Sequence, residues 1–95
     1  VAPPEDTVYD FTFYSYQTSE GSFEFFLSIP EGKEVMIKVY DVAGRLRGVP
    51  FKGYLPEGEH RISWDARVLP SGVYFASLKA KPYEKSVKVI FLRRR

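Results

Sequence analysis

Few side chains in this sequence are of the types that make and break bonds. His60 is the only histidine and cysteine is absent, so neither a multi-histidine nor a cysteine metal site can form. As a general base, His60 would need a nucleophile and an orienting group, and Ser63 and Asp65 are near it in sequence. Successive residues of a strand face opposite sides, however, and no Gly-x-Ser-x-Gly motif occurs. These residues favour a protein that is not an enzyme.

Two further sets of polar residues could support chemistry. Glu57 and Glu59 are two positions apart and could share a face, as the paired carboxylates of a glycoside hydrolase would require. A domain of 95 residues leaves little room for the cleft that such a pair needs. Asp41 or Asp65 could hold an adventitious calcium ion, but no EF-hand loop and no phosphate-binding glycine loop is present. We therefore expect no cofactor and no metal.

Aromatic residues offer one binding chemistry. They make up 17% of the chain, and some of them could form a flat platform for a sugar. The candidates are Tyr9, Tyr14, Tyr16, Phe51 and Tyr54. Core and edge packing explains most of these side chains, so a polysaccharide partner is an alternative rather than the main expectation.

The element that organises the chain is Glu34–Gly44, with the sequence EVMIKVYDVAG. Its apolar positions alternate with exposed ones, which is the period of a strand with one buried face. Asp41 can cap a turn through its own side chain, and Gly44 tolerates the left-handed exit from that turn. This segment therefore predicts a strand that ends in a tight turn.

Period-two alternation or a composition typical of strands predicts six more strands. They are Val8–Tyr16, Ser22–Ile29, Arg45–Phe51, Glu59–Asp65, Gly72–Ala80 and Lys85–Leu92. We expect Glu59–Asp65 and Gly72–Ala80 to pair around the central strand. Gly48 and Pro50 predict a sheet edge for Arg45–Phe51. Lys85–Leu92 is apolar on both sides near its end, which predicts a position well inside a sheet.

About seven strands with turn signals at short intervals, and no helical period, indicate an all-β antiparallel sandwich. We expect a single domain over residues 1–95, with residues 1–7 as a linker or N-terminal arm. Trp64 should lie between the two sheets, where its indole N–H needs a partner. The predicted structural core comprises Val35, Ile37, Val39, Trp64, Tyr74 and Leu78.

Charge is distributed unevenly along the chain. The net charge is +2, but residues 1–32 contain six acids and no Lys or Arg, and all fourteen basic residues follow. Complementarity between strands is the simplest explanation. The terminal Arg93–Arg95 could bind phosphates, but a solvated end that discourages edge-to-edge aggregation explains them better, so we expect no nucleic-acid partner.

Composition also bears on location and stability. No apolar run approaches the roughly 20 residues that span a bilayer, so we expect no membrane insertion. The chain starts at Val1 rather than Met, which is typical of a mature product or an excised piece. Asparagine is absent and Glu, Lys, Arg and Pro are abundant, which favours a thermostable or an engineered protein.

Several motifs together resemble the C-terminal sorting domains of the type IX (Por) secretion system. They are also similar to the immunoglobulin-like domain of the flagellar hook-capping protein. The shared segments are YDVAGR (Tyr40–Arg45), GEHRISWD (Gly58–Asp65), SGVYF (Ser71–Phe75) and a basic, apolar final strand. The resemblance extends from about Phe23 to Arg95.

The resemblance implies an immunoglobulin-like β-sandwich that is the non-catalytic C-terminal sorting or anchoring domain of an exported bacterial protein. Its partners would be the secretion apparatus and the upstream domain of its parent protein. Its destination, reached through the periplasm, would be the medium or the cell surface. Two alternatives stay open: an accessory carbohydrate-binding or stabilising module of an extracellular enzyme, and an assembly domain like that of the hook-capping protein.

Residues carried over from the resemblance fall in two groups. Gly72 and Tyr74 match the Gly-x-Tyr element of the family, although a turn and a core position explain them equally well. The basic end of the family's final strand corresponds to Lys85, Lys88, Arg93, Arg94 and Arg95. A terminal strand with a charged tip can be bound through backbone pairing and salt bridges.

Overall fold

The computed structural model describes residues 10–18 and 21–92. The regular secondary structure of this part of the chain consists of seven strands. They coincide with the segments whose alternation or composition is typical of strands. They are β1 (Thr12–Gln17), β2 (Ser22–Ile29), β3 (Lys33–Asp41), β4 (Leu46–Leu55), β5 (Gly58–Asp65), β6 (Gly72–Ala80) and β7 (Tyr83–Phe91). The predicted arm at residues 1–7 and the predicted strand residues Val8 and Tyr9 lie outside the described residues.

The strands form two sheets that face each other. One has the order β1-β2-β5 and the other the order β4-β3-β6-β7, and all neighbouring strands are antiparallel. The chain changes sheet three times, between β2 and β3, between β4 and β5 and between β5 and β6. The fold is therefore an all-β, immunoglobulin-like sandwich, as the sequence predicts.

The core lies between the inner faces of the two sheets, and β2 and β3 both contribute to it. Phe23, Phe25 and Leu27 project from β2 and are at most 2% exposed, as are the alternate residues of β3 opposite them, Val35, Ile37 and Val39. The ring of Phe23 lies within 6.4 Å of the rings of Phe25, Trp64, Tyr74 and Phe91, measured between centroids. Phe23 therefore joins strands of both sheets.

Two predictions of strand position are wrong. The segment Glu59–Asp65 does not pair with the central strand, because β4 occupies that edge of β3, and β5 instead pairs with β2 in the other sheet. Strand β7 is not well inside a sheet but forms an edge of the four-stranded one. The predicted edge position of Arg45–Phe51 is confirmed, although β4 is longer and continues to Leu55.

Trp64 lies at the rim of the sandwich rather than at its centre. It is half-buried and packs against the core from β5, an edge strand of its sheet. A β-carbon at Gly48 would be only 2.3 Å from Cζ2 of the indole, so glycine lets the β4 backbone approach the ring. Trp64 therefore closes the opening between β4 and β5, which is where the two sheets' edges meet.

Candidate functional site

Strand β1 lies beside β7 and runs parallel to it. At one end the rings of Phe11 and Tyr83 stack with centroids 5.0 Å apart. At the other end the Gln17 amide brackets the backbone of Leu92: Nε2 donates to the carbonyl at 2.8 Å and Oε1 accepts from the N–H at 2.9 Å. Gln17 thus supplies, from a side chain, the pair of hydrogen bonds that a neighbouring strand would make.

The outer side of β6 and β7 carries an apolar patch near the end of β7. Phe75, Ile90 and Leu92 are 40%, 57% and 65% exposed, and we call these three residues the terminal patch. Lys88 lies directly opposite Phe75 on the same face. A group of exposed apolar side chains is a feature of surfaces that meet another protein.

Gly72 and Tyr74, the predicted Gly-x-Tyr element, differ in accessibility. Gly72 begins β6, pairs with Phe91 and is exposed. Tyr74 is 3% exposed and its hydroxyl donates to the carbonyl of Pro70 at 2.6 Å. A partner could therefore reach the backbone at Gly72 but not the ring of Tyr74 in the folded domain.

The predicted basic residues do not form a single cluster. Lys85 pairs with buried Leu78 and so lies toward the inner face, where its Nζ is 5.7 Å from the centre of the Phe11 ring. Lys88 projects from the outer face beside the terminal patch. Arg93, Arg94 and Arg95 lie outside the described residues. Only Lys88 among the described candidates is next to the exposed apolar side chains.

The YDVAGR motif forms a turn organised by the carboxylate of Asp41. Its Oδ1 accepts the backbone N–H groups of Ala43 and Arg45 at 3.0 and 2.9 Å, and its Oδ2 accepts Nε of Arg45 at 2.9 Å. Arg47 adds a contact at 3.5 Å. The backbone N–H of Arg45, with these other donors, holds the pKa of the Asp41 carboxyl below its ordinary value against the effect of desolvation. In this structure the motif therefore stabilises a turn.

We expect Asp41→Asn to weaken the pH dependence of stability. A carboxyl whose pKa is lowered by folding stabilises the native state above its ordinary pKa, and that contribution is lost as pH falls through the lower folded value. Thermal melts between about pH 7 and about pH 2 should show a smaller fall in Tm for the variant than for the wild type. Glu57→Gln is the matched control, because Glu57 is exposed and lies in the turn between β4 and β5, away from the Asp41 turn. Identical melting profiles for Asp41→Asn and the wild type would contradict this role.

The outer face of the three-stranded sheet contains a buried carboxylate that the sequence did not reveal. Alternation along Ser22–Ile29 places Glu24 outside the core, where a carboxylate is ordinarily exposed, yet it is only 5% exposed. Its two oxygens accept Ser63 Oγ at 2.6 Å and Arg61 Nε at 2.8 Å. The Ser63 hydroxyl and then Arg61 hold its pKa below the ordinary value, while burial acts in the opposite direction. The alternation of β2 correctly assigns Glu24 to the outer face of the sheet, but it does not show that Arg61 and Ser63 cover the carboxylate.

The five aromatic residues of the predicted sugar platform do not assemble as one surface. Tyr14 and Tyr16 lie together on β1, and the ring of Phe26 on β2 stacks on both. In the sequence, Phe26 is an apolar residue at a position where the alternation of β2 predicts a polar one, and this is the signal that could have identified it. Phe51 and Tyr54 are on β4 in the other sheet, and Tyr9 is outside the described residues. The structure thus offers an aromatic cluster of different membership.

The residues considered for catalysis are engaged separately. Nε2 of His60 lies 2.7 Å from the carbonyl of Pro56, Ser63 is bound to Glu24, and Asp65 pairs with Arg67. The Arg67 guanidinium lowers the pKa of Asp65 to about 2. Among residues 10–18 and 21–92, no three His, Cys, Asp or Glu side chains are placed to hold a metal ion. No helix in this part of the chain has the length and apolarity needed to cross a membrane.

Comparison with known proteins identifies a family. No curated protein matches the chain. Among solved structures, the Ig1 domain of mouse SynCAM 2 is similar, with 18% identity and a TM-score of 0.42, over 87% of this chain and 92% of that one. Residues 20–92, about three-quarters of the chain, match the family described as the secretion system C-terminal sorting domain. The chain therefore belongs to the type IX secretion C-terminal sorting domains, and its protein is secreted or displayed at the cell surface.

Proposed function

We propose that this domain is the module by which the type IX secretion apparatus recognises the protein that carries it, and that the domain itself catalyses nothing. The observation that carries the proposal is the terminal patch of Phe75, Ile90 and Leu92, beside the cation of Lys88. It lies at the end of β7, within the family match over residues 20–92. A receptor would bury these apolar side chains and pair an acidic group with Lys88.

The contacts of the residues considered for catalysis favour a binding role over a catalytic one. His60, Ser63 and Asp65 are each hydrogen-bonded to a different group, so none is arranged with another as a nucleophile and base. Glu57 and Glu59 are both exposed, the first in the turn before β5 and the second on β5 itself. The domain's partners are the apparatus and the upstream part of the same protein.

Export of a reporter tests the proposal. A fluorescent reporter with a periplasmic signal and residues 1–95 at its C-terminus should reach the medium or the surface of a type IX-competent bacterium. We expect Ile90→Asp to reduce the exported fraction at least several-fold, because an aspartate would face a receptor surface complementary to apolar side chains and a lysine. Cell fractionation and immunoblotting measure the exported fraction.

Val68→Asp is the matched control, because Val68 is 81% exposed and lies in the loop between β5 and β6, outside the terminal patch. Thermal melts of both purified variants establish that they fold. Periplasmic retention of the wild-type fusion would contradict the sorting role. Export of folded Ile90→Asp at the wild-type level would contradict the role of the terminal patch, while the family role stands.

A further inference from the structure

The outer face of the three-stranded sheet carries three neighbouring aromatic rings. Tyr14 and Phe26 are directly paired across β1 and β2, with centroids 5.2 Å apart and planes 16° from parallel. Tyr16 and Phe26 are 5.6 Å apart with planes 15° from parallel. Tyr14 is 57% and Tyr16 is 49% exposed. We call these three residues the aromatic cluster; the two tyrosines leave ring surface and hydroxyl groups accessible to a ligand.

A shallow depression of about 260 Å³ adjoins the aromatic cluster. Its lining includes two of the rings, together with polar residues from all three strands. The residues that line it are Thr12, Tyr14, Phe26, Leu27, Ser28, Glu59, His60 and Arg61. This volume is close to the lower end of the range for ligand pockets, roughly 300–1,000 Å³, so the depression would accept one or two small rings.

The charges on this face are balanced rather than of one sign. The Arg61 guanidinium donates to the buried carboxylate of Glu24 and lies 6.0 Å from the centre of the Phe26 ring. Glu59 is exposed on the same face of β5, next to Ser28, and the hydroxyls of Thr12 and Ser28 are 2.7 Å apart. An anion would be repelled by the carboxylate of Glu59, and the charge of Arg61 is already paired with Glu24. The complementary ligand is therefore uncharged and has many hydroxyl groups.

We propose that the aromatic cluster and this depression bind a neutral polysaccharide. A sugar ring has one face of C–H groups, which packs against the negative face of an aromatic ring. Its hydroxyls lie around the rim, where they can exchange hydrogen bonds with Thr12, Glu59 and the free guanidinium donors of Arg61. The depression combines the two features that such a ligand requires: aromatic rings on one wall, and hydrogen-bond donors and acceptors beside them. The site lies on the sheet opposite to that of the terminal patch, so sugar binding is a function additional to sorting.

Titration calorimetry with three neutral oligosaccharides tests the proposal. Cellohexaose, xylohexaose and mannohexaose are titrated separately into residues 1–95, and we expect a binding isotherm with at least one of them. Tyr14→Ala and Tyr16→Ala should each weaken that binding about tenfold, the effect of losing one stacking ring. Tyr14→Phe should retain most of the affinity, since the ring rather than the hydroxyl makes the stacking contact.

Tyr54→Ala is the matched control, because Tyr54 is 62% exposed but lies on β4 in the other sheet. Its affinity should equal that of the wild type. Absence of an isotherm with all three sugars would overturn the proposal, and so would equal losses in Tyr14→Ala and Tyr54→Ala. If no sugar binds and light scattering detects a dimer that Tyr14→Ala abolishes, the face belongs to a second copy of the chain and the proposal is likewise overturned.

Discussion

Phe23→Ala is expected to reduce the free energy of unfolding by about 3–5 kcal/mol. The side chain has no exposed surface and its ring contacts rings from both sheets, among them those of Trp64 and Phe91. Alanine would leave a cavity between the layers that neither sheet can close without moving its other core residues. For a domain of 95 residues, this loss corresponds to a fall in Tm of roughly 15–30 °C.

Urea denaturation followed by far-UV circular dichroism measures the effect of this substitution. Phe75→Ala removes the same ring from an exposed position of the terminal patch, and its cost should be well below that of Phe23→Ala. Equal losses for the two variants would show that the Phe23 ring does not hold the two sheets together.

Substitutions of Tyr74 should separate a structural role from direct recognition. Tyr74→Ala empties a buried site next to Phe23 and should cost about 3–5 kcal/mol, enough to unfold much of the population of a marginal domain. Tyr74→Phe removes the hydrogen bond to the Pro70 carbonyl and should cost only about 0.5–1.5 kcal/mol. Because the ring is inaccessible, we expect Tyr74→Phe to be exported like the wild type in the reporter assay.

Melting temperatures and exported fractions, measured on the same variants, decide between the two roles. A Tyr74→Phe protein that is folded but not exported would assign the hydroxyl to receptor binding. Partial rescue of Tyr74→Ala export at low temperature, together with refolding, would instead support the structural role.

The sequence contained enough information to predict the fold, because strand periodicity depends on local burial. In β3, Val35, Ile37 and Val39 alternate with more accessible neighbours, and this pattern identifies the strand and its inner face without any knowledge of its partners. The turn at Asp41 follows from short-range hydrogen bonding, which the motif itself specifies. Features that depend on residues close in sequence were therefore predictable.

Pairing and outer-face packing were less predictable, because they depend on residues far apart in the chain. Ile90 and Leu92 make the end of β7 apolar on both sides, which is also the pattern of a central strand, yet both are exposed at a sheet edge. Glu24 has an ordinary exposed pattern and is buried by Arg61, 37 positions away, and by its neighbours. Exposed apolar side chains and ion pairs between distant residues carry no periodic signal.

The parallel arrangement of β1 and β7 has a mechanical consequence. Tension applied to the chain before Phe11 and after Leu92 would draw the two strands in opposite directions along their common axis. The ring stack of Phe11 on Tyr83 and the paired bonds of Gln17 would then be sheared together instead of opening one after another. Transport that pulls on both ends would load this seam in shear, whereas traction on one edge strand alone would peel that strand away step by step.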